Sequence, residues 1–86
     1  MKVQRRDATD VLTRDGETAV LIEGTVLRLS ELSAAVYSLT AHAVEVSRLA
    51  GELERRFGAP AGCSALEATE AAVAELVRRG VLDAVQ

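Results

Sequence analysis

Between Thr18 and Leu39 the chain reads TAVLIEGTVLRLSELSAAVYSL. Apolar residues alternate with period two, the direction reverses at Glu23-Gly24, and from Ser30 the pattern takes up the 3.6-residue period of a helix. A hairpin therefore feeds directly into a helix. In a two-residue hairpin the residues flanking the turn are a hydrogen-bonded pair, so Ile22 with Thr25 and Val20 with Leu27 exchange backbone bonds inside the sheet. Val26 and Arg28 then direct their N–H and C=O groups outward. No other stretch reads as a strand that would cover this row, which leaves an edge open to any extended peptide lying alongside. The plain alternative is a short exposed edge strand, blunted by the charge of Arg28.

The same reasoning extends in both directions. Val11 to Arg14, Glu17 to Ile22 and Thr25 to Leu29 read as three short strands joined at Asp15-Gly16 and Glu23-Gly24, where glycine supplies the positive φ of a tight turn. Pairing through those turns places Val11, Thr18, Val20, Ile22, Leu27 and Leu29 on one face, expected to carry the core. Leu12, Ala19, Leu21, Val26 and Arg28 fall on the other. Ser30 caps a helix with the stripe Leu32, Ala35, Val36 and Leu39, ending near Ala41-His42. A second helix carries Val46, Leu49, Ala50, Leu53 and Phe57 on its apolar side and stops at Gly58. After the GAPAGC loop, Ser64-Ala-Leu-Glu67 matches a capping box that opens a third helix, with Leu66, Val73, Leu76 and Val77 as its stripe and Gly80 after Arg79. The expectation is one α+β, winged-helix-like domain over residues 10–86, a three-stranded antiparallel sheet followed by three helices. Residues 1–9, MKVQRRDATD up to Thr9, are expected to be a tail in which Arg5 and Arg6 are solvated.

Composition removes several classes of function. The 86 residues are 49% apolar but only 2% aromatic, so the core is built from Ala, Val and Leu, and no aromatic cage or base-stacking platform is available. A single cysteine, Cys63, rules out an internal disulfide and a multi-cysteine zinc site, and it reads as an incidental thiol in a reducing compartment. The charged N-terminus lacks the apolar run of a signal peptide or membrane span, so a cytoplasmic protein is expected. A net charge of −3 weighs against nucleic acid, which needs a concentrated positive field. His42, the only histidine, has neither a serine nucleophile motif nor a carboxylate cluster beside it, and a catalytic role is not expected. Glu67, Glu70 and Glu75 are spread along the third helix rather than gathered in a metal-binding spacing, and Gly58 and Gly62 flank a proline turn rather than forming a nucleotide loop. No metal, cofactor or enzymatic activity is expected.

Over roughly Val11 to Leu82 the chain resembles the PqqD-like proteins, the precursor-peptide recognition elements of ribosomally made, modified peptide pathways. Gly24-TVLRLSELSAAVYSL looks like that family's G-x-Y-x-L-N-x-x-A-x-x-I-W-x-L pattern, with Val26, Ser30 and Tyr37 standing where the family has an aromatic residue, Asn and Trp. Val46-SRLAGELERRFG is similar to the family's second helix, and Leu76-VRRGVL to its closing L-x-x-x-G-L-L. The resemblance implies a non-catalytic protein that binds an unmodified leader peptide as an added strand and delivers the precursor to a modifying enzyme or leader peptidase. It places the strand wall of the groove at Thr25, Val26, Leu27, Arg28 and Leu29. The helix wall would be drawn from Leu66, Thr69, Glu70, Val73, Ala74 and Val77, with leader side chains beside Val73 and Val77 and a leader carboxylate on Arg28.

Two other readings use the same elements. A DNA-binding winged helix would present the third helix, whose Glu67, Glu70 and Glu75 would face phosphate against only Arg78 and Arg79. An adaptor could instead pair edge to edge as a homodimer. The apolar patch Leu12, Ala19, Leu21 and Val26 is expected to dock the processing enzyme or a second copy, unless Met1 to Thr9 folds back over it.

Overall fold

A computed structural model describes residues 1–85. The chain is α+β and winged-helix-like, and the expected meander is present. It consists of β2 (Asp10–Arg14), β3 (Glu17–Ile22) and β4 (Thr25–Leu29), in the sheet order β2-β3-β4, after a first strand β1 (Lys2–Arg5). Both meander turns have positive φ at their two central residues, Asp15 and Gly16 at 53° and 79°, Glu23 and Gly24 at 50° and 79°. These are the values of the type I′ turn that suits the twist of a two-residue hairpin. The resulting register pairs Ile22 with Thr25, Val20 with Leu27 and Thr18 with Leu29, as the sequence pattern requires.

Three helices follow, α1 (Glu31–Leu39), α2 (Val46–Phe57) and α3 (Ala65–Arg78). Ser30 and Ser64 cap the first and third, their hydroxyls accepting the backbone N–H of Ser33 at 3.1 Å and of Glu67 at 3.0 Å. Helix α3 stops at Gly80, whose φ of 80° closes a Schellman turn. There the Gly80 N–H bonds to Val77 O at 3.1 Å and the Val81 N–H to Leu76 O at 2.9 Å. This turn sends the chain into β6 (Leu82–Val85).

The structure corrects the reading of residues 1–9 as a tail. Strand β1 is the centre of a second antiparallel sheet, flanked by β5 (Val44–Glu45) and β6, and Val3 is completely buried. Arg5 and Arg6 are not simply solvated either. The Arg5 N–H donates to Thr40 O at 2.9 Å, and its guanidinium lies 5.0 Å from the centre of the Tyr37 ring. Arg6 Nε donates to Asp83 at 3.0 Å and a second nitrogen lies 3.8 Å from Glu23, so one side chain links β6 to the β3–β4 turn. The hydrogen bond to Asp83 is the main cause that raises the Arg6 pKa above its ordinary value. The Tyr37 hydroxyl, donating to Arg6 O at 2.8 Å, fastens the same segment to α1.

The core joins Val3, Val20, Ile22, Leu29, Val36, Tyr37, Leu49, Leu53, Val73, Leu76, Val81 and Leu82, which come from both sheets and all three helices. Each large aliphatic side chain removed from water here contributes about 1.5–3 kcal/mol before conformational entropy is counted. Four residues expected on its stripes are outside: Phe57, Val11, and Leu66 and Val77 of α3. Phe57, the last residue of α2, is exposed. Val11 lies on the core-facing row of the meander but is 49% exposed, because α1 covers β3 and β4 and leaves β2 bare. Among the described residues no helix is long and apolar enough to cross a membrane.

Candidate functional site

The hairpin register settles the direction of each backbone group on β4. Thr25, Leu27 and Leu29 stand opposite Ile22, Val20 and Thr18, and with Ile22 and Thr25 flanking the turn these are the hydrogen-bonded pairs. The N–H and C=O groups of Val26 and Arg28 therefore point away from β3. Among the described residues no strand pairs with that outer row, since β1, β5 and β6 form a sheet of their own. Val26, expected on the face away from the core, is 67% exposed, while Leu29 is buried and anchors the strand.

One protein group does reach the row. Arg79 Nη2, just past the end of α3, donates to Arg28 O at 2.8 Å. The sequence reading missed this residue as part of the site. The available signal was an outward strand carbonyl in need of a donor, together with a long cation at a helix C-terminus, where positive charge is favoured. The contact brings the C-terminal end of α3 to the β4 edge, and it makes the edge basic. Arg28 and Arg79 take part in no ion pair among the described residues, whereas neighbouring Arg78 is paired with Glu75.

The six helix residues expected to line the groove separate into two sets. Thr69 and Val73 are buried in the core and have no surface to offer a ligand, which corrects their assignment as direct contacts. They fall on the inward stripe with Leu76, at the i, i+4, i+7 spacing of one helix face. Glu70 and Ala74 are exposed, and Leu66 and Val77 are 42% and 37% exposed, so these four can meet a peptide. Leu66 and Val77 are eleven positions apart, about 16 Å along a helix axis, which is close to the ~17 Å length of a five-residue strand. A short extended segment can reach from one to the other. Glu67, Glu70 and Glu75 are all exposed, and with Arg78 already paired α3 presents a largely acidic face, a poor surface for phosphate.

Elsewhere the surface offers shallower features. His42 and Cys63 are exposed in loops, and among the described residues no group of three or more His, Cys, Asp or Glu side chains is gathered to hold a metal ion. The patch on the outer face of the meander keeps Leu12 at 60% exposure and Val26 bare, and residues 1–9 run to the second sheet instead of covering it. No family model, curated protein or solved structure matches this chain.

Proposed function

We propose that this protein is a non-catalytic recognition domain that takes the leader segment of a ribosomally made precursor peptide as an extra strand beside β4, and presents the precursor to a modifying enzyme or leader peptidase in the cytoplasm. The observation that carries the reading is the outer row of β4, where Val26 and Arg28 keep outward backbone groups with no strand against them among the described residues. The resemblance of Gly24 to Leu39, Val46 to Gly58 and Leu76 to Leu82 to the PqqD-like pattern supports it. Main-chain pairing supplies affinity with little selectivity, so selectivity falls to side chains. Leu66, Ala74 and Val77 offer apolar contacts, while Arg28 and Arg79 favour a leader segment carrying a carboxylate.

The test uses labelled synthetic peptides covering the N-terminal part of short open reading frames found beside the gene for this chain. Arg28→Pro removes one outward N–H and spares the bonds to β3. It should weaken binding by about 1–3 kcal/mol, roughly 5- to 150-fold, where that bond is not replaced. Thr25→Pro, whose N–H faces Ile22, should cost stability instead. Unchanged leader affinity in a folded Arg28→Pro variant would remove strand addition at β4.

A further inference from the structure

The opposite edge of the meander carries an inference of its own. All five residues of β2 are exposed, so the strand is held mainly by its backbone bonds to β3, with one side-chain contact between the Thr13 and Thr18 hydroxyls at 3.3 Å. Since Arg14 and Glu17 flank the Asp15-Gly16 turn and form a hydrogen-bonded pair, Leu12 and Asp10 also face β3, and Val11 and Thr13 direct their backbone groups outward. The row is short because at Thr9 the chain turns inward, its N–H bonding to Leu21 O at 2.7 Å. The Val11 N–H is occupied only by the carboxylate of its own neighbour, Asp10, at 2.9 Å. On the α1 side of this edge lies an open groove of about 610 Å³, lined by Val11, Thr13, Ala34, Ala35 and Tyr37 among others.

The sequence of this strand, Asp-Val-Leu-Thr-Arg, is complementary to itself when run antiparallel. We propose that β2 pairs with β2 of a second copy about a two-fold axis through Leu12, making a six-stranded sheet. Val11 then exchanges both backbone bonds with Thr13 of the second copy, and Thr13 with its Val11, which uses every outward group of the row. Leu12 meets Leu12 of the second copy as the close, non-hydrogen-bonded pair. This joins the two outer-face patches through Ala19, the residue beside Leu12 on β3. Asp10 stands opposite Arg14 of the second copy and Arg14 opposite its Asp10, so each carboxylate leaves its edge-capping contact for a guanidinium. Both copies contribute the same patch, and the groove leaves the flank of the strand unobstructed.

The β4 edge cannot do this as well. Paired through its own outward residues it would set Val26 against Arg28 of the second copy, with no charge opposite either arginine, and Arg79 already occupies the Arg28 carbonyl. In the β2 dimer both β4 edges remain at the outer ends of the sheet. The inference therefore stands independently of what β4 binds.

Sedimentation equilibrium tests it, with loading up to about 1 mM because the contact is smaller than a standard interface. The wild type should associate to a dimer with rising concentration. Arg14→Asp places like charges opposite each other at both ends of the strand pair, and should weaken association about tenfold. The double variant Asp10→Arg with Arg14→Asp should restore it, since the two pairs reform with reversed polarity, and Arg28→Pro should leave it unchanged. All three positions are exposed, and circular dichroism confirms folding of each variant before the comparison. A wild type that stays monomeric to that concentration overturns the proposal. So does a dimer insensitive to Arg14→Asp, one the double variant fails to restore, or one that Arg28→Pro abolishes.

Discussion

Removing Arg79 should strengthen peptide binding once long-range charge is screened. The Arg79 guanidinium holds Arg28 O at 2.8 Å, and an incoming strand needs that carbonyl as an acceptor for its own N–H. Peptide docking therefore competes with a protein hydrogen bond for that oxygen. The contact is exposed and immobilises a long side chain, which reduces its net worth to about 0.5–1 kcal/mol, below that of a buried charge-assisted bond. Arg79→Ala should lower the dissociation constant for the leader by about 2- to 5-fold through this effect alone. Arg79 also attracts acidic peptide, which acts in the opposite direction, but the Debye length falls to about 3 Å at 1 M salt and suppresses the Coulombic part. The assay is fluorescence anisotropy of the labelled leader peptide with wild-type and Arg79→Ala protein at low salt and at high salt. Tighter binding by the variant at high salt, with a smaller gain or a loss at low salt, is the expected pattern. Equal or weaker binding by the variant at high salt would refute the reasoning, because the Arg28 carbonyl would then take no part in docking.

Two further substitutions separate the core from the site. Val73→Ala should cost about 1.5–3 kcal/mol in urea unfolding while leaving the leader affinity of the folded protein unchanged, since Val73 is wholly buried. Ala74→Glu, on the exposed side of the same turn, should keep the stability and weaken leader binding about tenfold by setting a carboxylate against an acidic peptide. Val3→Asp should unfold the domain, because an unpaired charge at the centre of the second sheet costs at least ~3 kcal/mol against a small total stability. A thermal melt of that variant resembling wild type would show that β1 does not belong to the core.

The parts of this fold that are legible in the sequence are those with a local cause. Asp15-Gly16 and Glu23-Gly24 specify two type I′ turns, these specify the register, and the register specifies which groups of β4 face outward. Ser30, Ser64 and Gly80 mark helix ends by capping chemistry that acts within a few residues. The second sheet has no such local cause. Strand β1 offers only Val3 as an apolar residue, β5 is two residues long, and Lys2 pairs with Glu45, half the chain away, and with Val85, at nearly its full length. Only burial shared with distant residues explains those pairings. Period-two alternation assigned Val11 to the core-facing row, but whether a helix lies over that row depends on where α1 packs. On α3 the 3.6-residue pattern correctly grouped Val73 with Leu76, yet apolarity alone assigned Leu66 to the stripe in place of the buried Thr69. Arg79 belongs to the site because of where α3 ends in space, which no spacing along the chain records.

Amide hydrogen exchange of the ¹⁵N-labelled protein, with and without the leader peptide, tests the central claim most directly. In the free protein Thr25, Leu27 and Leu29 should already be protected by β3, with Val26 and Arg28 exchanging fast. Saturating peptide should slow Val26 and Arg28 by an order of magnitude or more, and change their β3-bonded neighbours far less. Strand addition at β4 is contradicted if the peptide binds and those two amides keep their free exchange rates, or if new protection appears at Val11 and Thr13 on the opposite edge instead.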